Sequence, residues 1–239
     1  MTTGGGGDFG ARHLIVQACR VLKANGHDDY IWGHVAVRDA AGRGFWMKPA
    51  GFGFEEVLED DVILIDGDGN ILQGDRPRHS EWPIHTEIMA ANREIGGVVH
   101  THPPHSIALA ATGLSLRGLS HAGTLFTPPD VPRFDLTANL IVDRSLGGAL
   151  AQTLGDQRAA FMVNHGIVTT GETLQEAVVR AVLLEKACSQ QLLAQNTGTG
   201  LMWPSDEESL AKRKTVWPPA HLEALWDYLV RALPVEPNR

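Results

Sequence analysis

The segment that most constrains this chain is the apolar run that ends in Val98-Val99-His100-Thr101-His102. Side chains alternate between the two faces of a β-strand, so residues two positions apart lie on the same face. His100 and His102 are therefore predicted to share one face, where their imidazoles could bind one ion of zinc, manganese or iron(II). The pattern alone is equally compatible with two histidines that only pack in the core.

Two other segments supply similar chemistry. The stretch His79-Ser80-Glu81 places a carboxylate just before a predicted helix, and Asn164-His165-Gly166 follows another apolar strand. His100, His102 and His165 then form a candidate metal-ligand set, which leaves Glu81 to move protons as an acid or base. A metal held in this way keeps open coordination positions and can assist carbon–carbon cleavage without a nucleophilic serine.

Hydrophobic periodicity predicts helices and short strands in mixed order. Helices are predicted over 12–25, where Gly26 follows as a cap, and over 83–93, 106–111, 146–154 and 172–196. Strands are predicted over 31–38, 44–48, 62–65, 71–72, around the histidine pair, and over 118–126, 159–163 and 167–170. The first four strands read as an antiparallel run.

Chain length allows one large domain or two small ones. The 239 residues are 43% hydrophobic, which is enough for a core, and nothing in the pattern requires a division. We expect residues 1–8 to form a disordered glycine-rich start and residues 9–239 to form a single domain, with a C-terminal helical segment from about residue 205 that Pro218-Pro219 interrupts. Trp217, Trp226 and Tyr228 in that segment are expected either to close a pocket or to anchor packing.

Charge and cysteine content narrow the class of partner and the compartment. The 20 Lys and Arg residues and 28 Asp and Glu residues give a net charge of −8 without a basic stripe, which argues against nucleic acid as the main partner. Cys19 and Cys188 both fall in helical patterns, so we expect no disulfide and a reducing cytoplasm. No run is apolar enough for a membrane span, and no signal peptide is recognised.

The order Ser80-Glu81-Trp82, His100-x-His102 and His165-Gly166 resembles the class II aldolase and adducin family, typified by fuculose-phosphate aldolase, over about residues 14–196. The resemblance implies an α/β fold with three α/β/α layers and a mostly antiparallel central sheet. It also implies a homotetramer with active sites between neighbouring subunits. By the same resemblance, His100, His102 and His165 bind a divalent metal (zinc, manganese, iron(II) or cobalt), and Glu81 is the acid/base.

This chain departs from the phosphate pocket that fuculose-phosphate-type aldolases share, which is built from a glycine-asparagine pair, a threonine-proline-threonine-glycine turn and a double serine. It has Gly33-His34, Lys48-Pro49-Ala50-Gly51 and His79-Ser80 in those places. Imidazoles and a lysine suit a flat carboxylate or phenolic hydroxyl better than a tetrahedral phosphate. The predicted substrate-binding residues are His34, Lys48, Gly51, His79 and Ser80.

These replacements resemble the decarboxylase branch of the superfamily, which acts on hydroxylated aromatic acids such as dihydroxyphthalate. The leading hypothesis is a metal-dependent decarboxylase of a small molecule. An aldolase for a hydroxy-keto compound, an iron(II) oxygenase and a binding module are the alternatives. Three side chains have simpler interpretations: His34 could brace a turn, Lys48 could face solvent, and His79 could cap a helix. His85 is expected to be structural, His105 to lie at the surface or a substrate wall, and His121 to end a strand.

Overall fold

A computed structural model describes residues 5–234, in which one eight-stranded sheet is the central layer. The strand order is β4-β3-β2-β1-β5-β8-β7-β6. Every neighbouring pair is antiparallel except β6 and β7, which are parallel. The prediction of a mixed α/β fold with a mostly antiparallel sheet is confirmed.

The elements follow one another in mixed order along the chain. The strands are β1 His34–Arg38, β2 Phe45–Met47, β3 Ile63–Ile65, β4 Ile71–Gln73, β5 Gly97–Thr101, β6 Arg133–Phe134, β7 Ala159–Met162 and β8 Gly166–Gly171. The helices are α1 Gly5–Ala24, α2 Trp82–Ala91, α3 Pro104–Ala111, α4 His121–Phe126, α5 Arg144–Leu154, α6 Leu174–Gln195, α7 Asp206–Val216 and α8 Pro219–Arg231, with a short 3-10 turn at Glu59–Asp61.

Strand alternation divides the core between the two faces of the sheet. Val35 and Val99 pack on one face in a cluster that includes apolar residues of α1, α3, α6 and α8. Ala36 and Val98 pack on the opposite face with apolar residues of α2 and α5. The sheet therefore lies between two helical layers, and the register pairs His34 with His100 on the face covered by α2 and α5.

The expected disorder over 1–8 is wrong for residues 5–8, because α1 begins at Gly5. An ion pair of 2.5 Å between Asp8 and Arg43 joins its first turn to the β1–β2 connection. Residues 1–4 lie outside the described residues. The predicted strand over 118–126 is also wrong, because His121–Phe126 is helix α4. Ser120 caps that helix by accepting a hydrogen bond from the Gly123 N–H, which fixes a helical start where the apolar pattern favoured a strand.

The C-terminal segment forms two helices that pack on the α6 side of the sheet. Trp226 is buried in the same cluster as α6, and the Trp217 indole donates a hydrogen bond of 2.7 Å to the carbonyl of His121. These contacts favour packing anchors for both tryptophans, whereas Tyr228 is exposed. Within 5–234, no helix has the length and apolarity that a membrane span requires.

Both cysteines are buried and free of disulfides. Burial raises the pKa of Cys19 and of Cys188 to about 12. Neither thiol is ionised at neutral pH, so neither offers a nucleophile.

Candidate metal centre and acid/base site

The candidate site lies where β5 ends and where β7 turns into β8. His100 is the penultimate residue of β5 and His102 follows the strand, while His165 occupies the tight β7–β8 turn. Asn164 takes a left-handed φ of 59° there. Gly166 passes so close that a Cβ atom would lie 2.5 Å from the Thr101 carbonyl oxygen and 2.8 Å from the His102 ring, so only glycine allows this approach.

The three imidazoles converge on one point, and we call His100, His102 and His165 the ligand triad. One nitrogen from each lies within 4.8 Å of the others, and the Nε2 atoms of His100 and His102 are 3.1 Å apart. Among residues 5–234, both ring nitrogens of His165 are buried and lack a hydrogen-bond partner. Buried unpaired nitrogens are costly unless something occupies the space between them, and three imidazoles are a fitting donor set for a divalent metal.

Burial keeps two members of the triad, His100 and His102, in the form that a metal requires. Burial, with the neighbouring charge of His102, holds the pKa of His100 well below its usual range, and burial with the charge of His165 lowers the pKa of His102. Both imidazoles are therefore neutral at pH 7. A neutral imidazole has the lone pair that ligation needs.

Glu81 lies beside the ligand triad at the position that precedes α2. Its Oε1 accepts a hydrogen bond of 2.8 Å from the Ile141 backbone N–H and lies 3.6 Å from Nε2 of His165, and its Oε2 lies 3.8 Å from Nε2 of His100. Burial alone would raise the pKa of Glu81, but interactions with His165 and His34 hold the pKa well below its usual range. The carboxylate is thus ionised, and the Ile141 N–H fixes the direction of its Oε1.

A second group of buried polar residues adjoins Glu81, and we call it the basic cluster: His34, Lys48, His79 and His85. Nδ1 of His34 lies 2.6 Å from Nε2 of His85, and the rings of His34 and His79 are 4.4 Å apart between centroids. His79 Nε2 lies 3.4 Å from Lys48 Nζ and 3.1 Å from the Pro49 carbonyl oxygen. The cluster meets the acid/base residue where Nε2 of His34 lies 3.9 Å from Oε2 of Glu81.

The simpler interpretation of Lys48 is wrong, because its side chain is fully buried and does not face solvent. Burial lowers the pKa of Lys48 to about 8, and burial together with the charge of Lys48 lowers the pKa of His79 to about 3. The cluster at neutral pH thus combines one mostly protonated amine with neutral imidazoles. It can offer hydrogen bonds and one positive charge to an anionic group.

Not every predicted residue joins these groups. Gly51 and Ser80 are exposed on the loops that carry Lys48 and His79, and Gly51 has a φ of 83°. His105 is exposed at the start of α3, where its Nδ1 lies 2.6 Å from Glu185, so the surface interpretation holds for it. His121 is exposed and begins α4 on the α6 side of the sheet, so it does not line the site.

The sequence interpretation missed two side chains that contact the site. His85 was expected to be structural, yet it contacts His34; its place four residues after Glu81, one helical turn along α2, was a signal that could have identified it. Asp29 gave no signal, and its Oδ2 lies 3.1 Å from Nδ1 of His102. The Ile141 N–H is a backbone group, which no residue pattern identifies.

Known proteins resemble this chain in sequence and in fold. A family model described as the Class II Aldolase and Adducin N-terminal domain matches residues 13–192. A 3,4-dihydroxyphthalate decarboxylase of Arthrobacter keyseri is 30% identical over 205 residues, which cover 80% of this chain and 82% of that protein. A 5-methylthioribulose-1-phosphate/5-deoxyribulose-1-phosphate aldolase of Rhodospirillum rubrum is also 30% identical, over 84% of this chain and 89% of its own.

Among solved structures, an L-fuculose 1-phosphate aldolase of Glaciozyma antarctica superposes with a TM-score of 0.85. It is 23% identical, and the match covers 98% of this chain and 92% of the other. The fold is thus shared over nearly the whole length of both proteins.

Proposed function

The chain belongs to the class II aldolase and adducin family, and from this premise we propose that it is a metal-dependent carbon–carbon lyase that decarboxylates a hydroxylated aromatic acid such as 3,4-dihydroxyphthalate. Lyase chemistry is common to the decarboxylase and aldolase relatives. The choice of a decarboxylase and of an aromatic acid is the finer part of the proposal.

The basic cluster carries that finer part. Lys48 and His79 lie 3.4 Å apart in a buried position, and His34 connects them to Glu81. A flat carboxylate can accept hydrogen bonds from an ammonium and an imidazole together, and burial strengthens such charge-assisted bonds. We therefore assign Lys48 and His79 to a substrate carboxylate or phenolic oxygen, with the adjacent loop residues Gly51 and Ser80 at its edge.

The ligand triad is the proposed metal site, because one nitrogen from each of its three imidazoles converges there and, among residues 5–234, the buried nitrogens of His165 make no hydrogen bond. A divalent metal bound there would supply a Lewis acid that stabilises the negative charge developing as the carbon–carbon bond breaks. The triad's own role is to present neutral nitrogens from a rigid strand and a tight turn. Zinc, manganese, iron(II) and cobalt all accept such a donor set.

Glu81 is the proposed acid/base. As a carboxylate it can take the proton of a substrate hydroxyl while the Ile141 N–H holds Oε1 in place. When the bond to the departing carboxyl group breaks, the electron pair stays on the ring carbon, and Glu81 returns its proton to that carbon. Glu81 thus takes up and releases one proton, and the step yields carbon dioxide and the phenolate form of the product, which takes one proton from solvent.

Carbon dioxide release from ortho-hydroxylated aromatic dicarboxylates tests this function. The purified chain would be stripped of metal, reloaded separately with manganese, zinc, iron(II) or cobalt, and assayed on a panel that includes 3,4-dihydroxyphthalate. We expect metal-dependent release of one carbon dioxide per substrate. No release from any member of the panel, combined with cleavage of a hydroxy-ketone, would contradict the decarboxylase.

An aldolase is the second candidate, because the Rhodospirillum rubrum aldolase matches this chain at the same identity as the decarboxylase. The ligand triad and Glu81 would serve either reaction, since both need charge stabilisation beside a polarised oxygen and a proton carrier. The basic cluster favours the decarboxylase, since its imidazoles stand where small hydroxyl and amide side chains would hold a phosphate.

Assembly and location complete the proposal. We propose a homotetramer with active sites between neighbouring subunits, located in the cytoplasm. Large apolar side chains are exposed on both sides of the site, at Tyr30 and Trp32 near Asp29 and at Leu140 and Val142 near the Ile141 N–H. Light scattering on the full chain should give about four times its mass of 25.9 kDa. A fully active monomer would contradict this assembly.

A further inference from the structure

The three histidines of the ligand triad differ in what their Nδ1 atoms contact. Nδ1 of His100 is 2.9 Å from the carbonyl oxygen of Ile167, a backbone group of β8. Within residues 5–234, Nδ1 of His165 has no hydrogen-bond partner. In the described part of the chain, His102 alone among the three has a replaceable side chain close to its Nδ1, namely the carboxylate of Asp29 at 3.1 Å.

The two nitrogens of the His102 ring face different partners. Its Nε2 lies 3.1 Å from Nε2 of His100, towards the centre of the triad, while Nδ1 points away from the centre towards Oδ2 of Asp29. Nδ1 is buried and makes no well-aligned hydrogen bond among the described residues, so a small rotation of the ring or the carboxylate is needed to align the donor. An aligned bond would leave the proton on Nδ1 and the lone pair on Nε2.

The turn that carries Asp29 is itself fixed. Asp29 and Trp32 form an antiparallel bridge, the Trp32 N–H donates a hydrogen bond of 3.0 Å to the Asp29 carbonyl oxygen, and Tyr30 takes a φ of 51° between them. Lys48 Nζ lies 3.3 Å from the carbonyl oxygen of Ile31 in the same turn. The turn thus adjoins both the ligand triad and the basic cluster.

We propose that Asp29 is a positioning residue for the metal centre, which accepts the Nδ1–H of His102 and so holds Nε2 of that imidazole in the ligating tautomer and direction. This inference deepens the proposed function and rests on the ligand triad being the metal site. Carboxylates that support a ligating histidine in this way typically strengthen metal binding by about 10- to 100-fold.

The test measures zinc affinity of the full-length protein by competition with a chromophoric chelator. Asp29→Ala should weaken zinc binding by about 10- to 100-fold. Asp29→Asn keeps an acceptor oxygen without the charge, so its affinity should fall between those of the wild type and Asp29→Ala. Asp28→Asn is the matched control, since Asp28 is the adjacent aspartate and pairs with Lys23 at 2.7 Å; it should bind zinc as the wild type does.

Two further measurements separate the outcomes. Urea unfolding in the presence of EDTA should show that the Asp29 variants, like the wild type, are fully folded under the conditions of the zinc titration; unfolding under those conditions that accounts for the weaker zinc binding would overturn the inference. His102→Ala should abolish high-affinity zinc binding. If it does and Asp29→Ala binds zinc like the wild type, Asp29 has no positioning role. If His102→Ala also binds zinc normally, the proposed metal centre itself is wrong, and the inference is overturned with it.

Discussion

The ligand triad and the basic cluster lie side by side but are built in different ways. The triad comes from one strand end and one tight turn, and its members face each other because β5 and β8 are paired in register. The basic cluster takes His34 from β1, Lys48 and His79 from two loops and His85 from α2. The triad therefore follows from local strand geometry, whereas the cluster depends on packing between distant segments. Under the proposed function, the triad serves the general lyase chemistry and the cluster serves substrate choice.

Removal of a triad member should have the largest effect. His100→Ala is expected to lose bound metal and at least about 10⁴-fold of the turnover, since a catalytic metal supplies several kcal/mol of charge stabilisation. Metal content by atomic emission and kcat on the same sample check this result. Retained metal and near-normal turnover would mean that the ligand triad is not the metal site.

Loss of the acid/base should be nearly as large but should leave metal in place. Glu81→Gln keeps the shape of the side chain and removes the proton-accepting charge, so turnover should fall by about 10²- to 10⁴-fold. Metal content should equal that of the wild type. If metal is lost together with activity, Glu81 is a metal ligand and belongs with the triad.

Changes in the basic cluster should affect substrate choice instead of metal binding. Lys48→Met and His79→Asn should each lower kcat/KM for a dicarboxylate by about 10- to 100-fold, because each removes a charge-assisted hydrogen bond of about 1.5–3 kcal/mol. Metal affinity should stay unchanged. A substrate without the second carboxylate is the control, and an equal loss on that substrate would contradict an anion-binding role.

Acidification should destabilise the metal-free fold through the buried imidazoles. Burial lowers the pKa of His79 and of His85 to about 3 and of His27 to about 4, from 6.5. Below pH 6.5 the unfolded chain binds more protons than the folded one. The contribution of these histidines to the free energy of unfolding is therefore fully present above pH 6.5 and is lost as the pH falls towards 3. Each histidine contributes a slope of up to about 1.4 kcal/mol per pH unit.

Urea unfolding with EDTA at pH 7.5 and 5.5 measures that slope. His85→Gln removes one of these histidines. The slope of the free energy of unfolding against pH should therefore decrease by up to about 1.4 kcal/mol per pH unit, which corresponds to one proton. A slope identical to that of the wild type would mean that His85 is not held neutral by the fold.

The smallest effect should come from a histidine outside both groups. His105 is exposed and contacts Glu185 on α6, so His105→Asn should leave kcat/KM within about twofold and stability within about 0.5 kcal/mol. Steady-state kinetics on the decarboxylase substrate check this. A large loss of activity would mean that α3 contributes to the substrate-binding site.

These contrasts also explain what the sequence could and could not predict. Residue patterns were enough for the antiparallel run of the first four strands and for placing His100, His102 and His165 at strand ends. The mostly antiparallel sheet as a whole was expected only from the family resemblance. Helix α4 was missed because a six-residue helix carries little periodicity and Ser120 alone specifies its start. The burial of Lys48 and the contact of Asp29 with His102 depend on how loops pack, which no spacing encodes.

The most direct test of the decarboxylase is to run the metal-loaded enzyme on 3,4-dihydroxyphthalate in D₂O and to examine the product by NMR. The proposed function predicts one carbon dioxide per turnover and one deuterium on the ring carbon that lost its carboxyl group, with product formed about 10²- to 10⁴-fold more slowly by Glu81→Gln. An unchanged dicarboxylate under every metal, with cleavage of a hydroxy-ketone by the same sample, would contradict it.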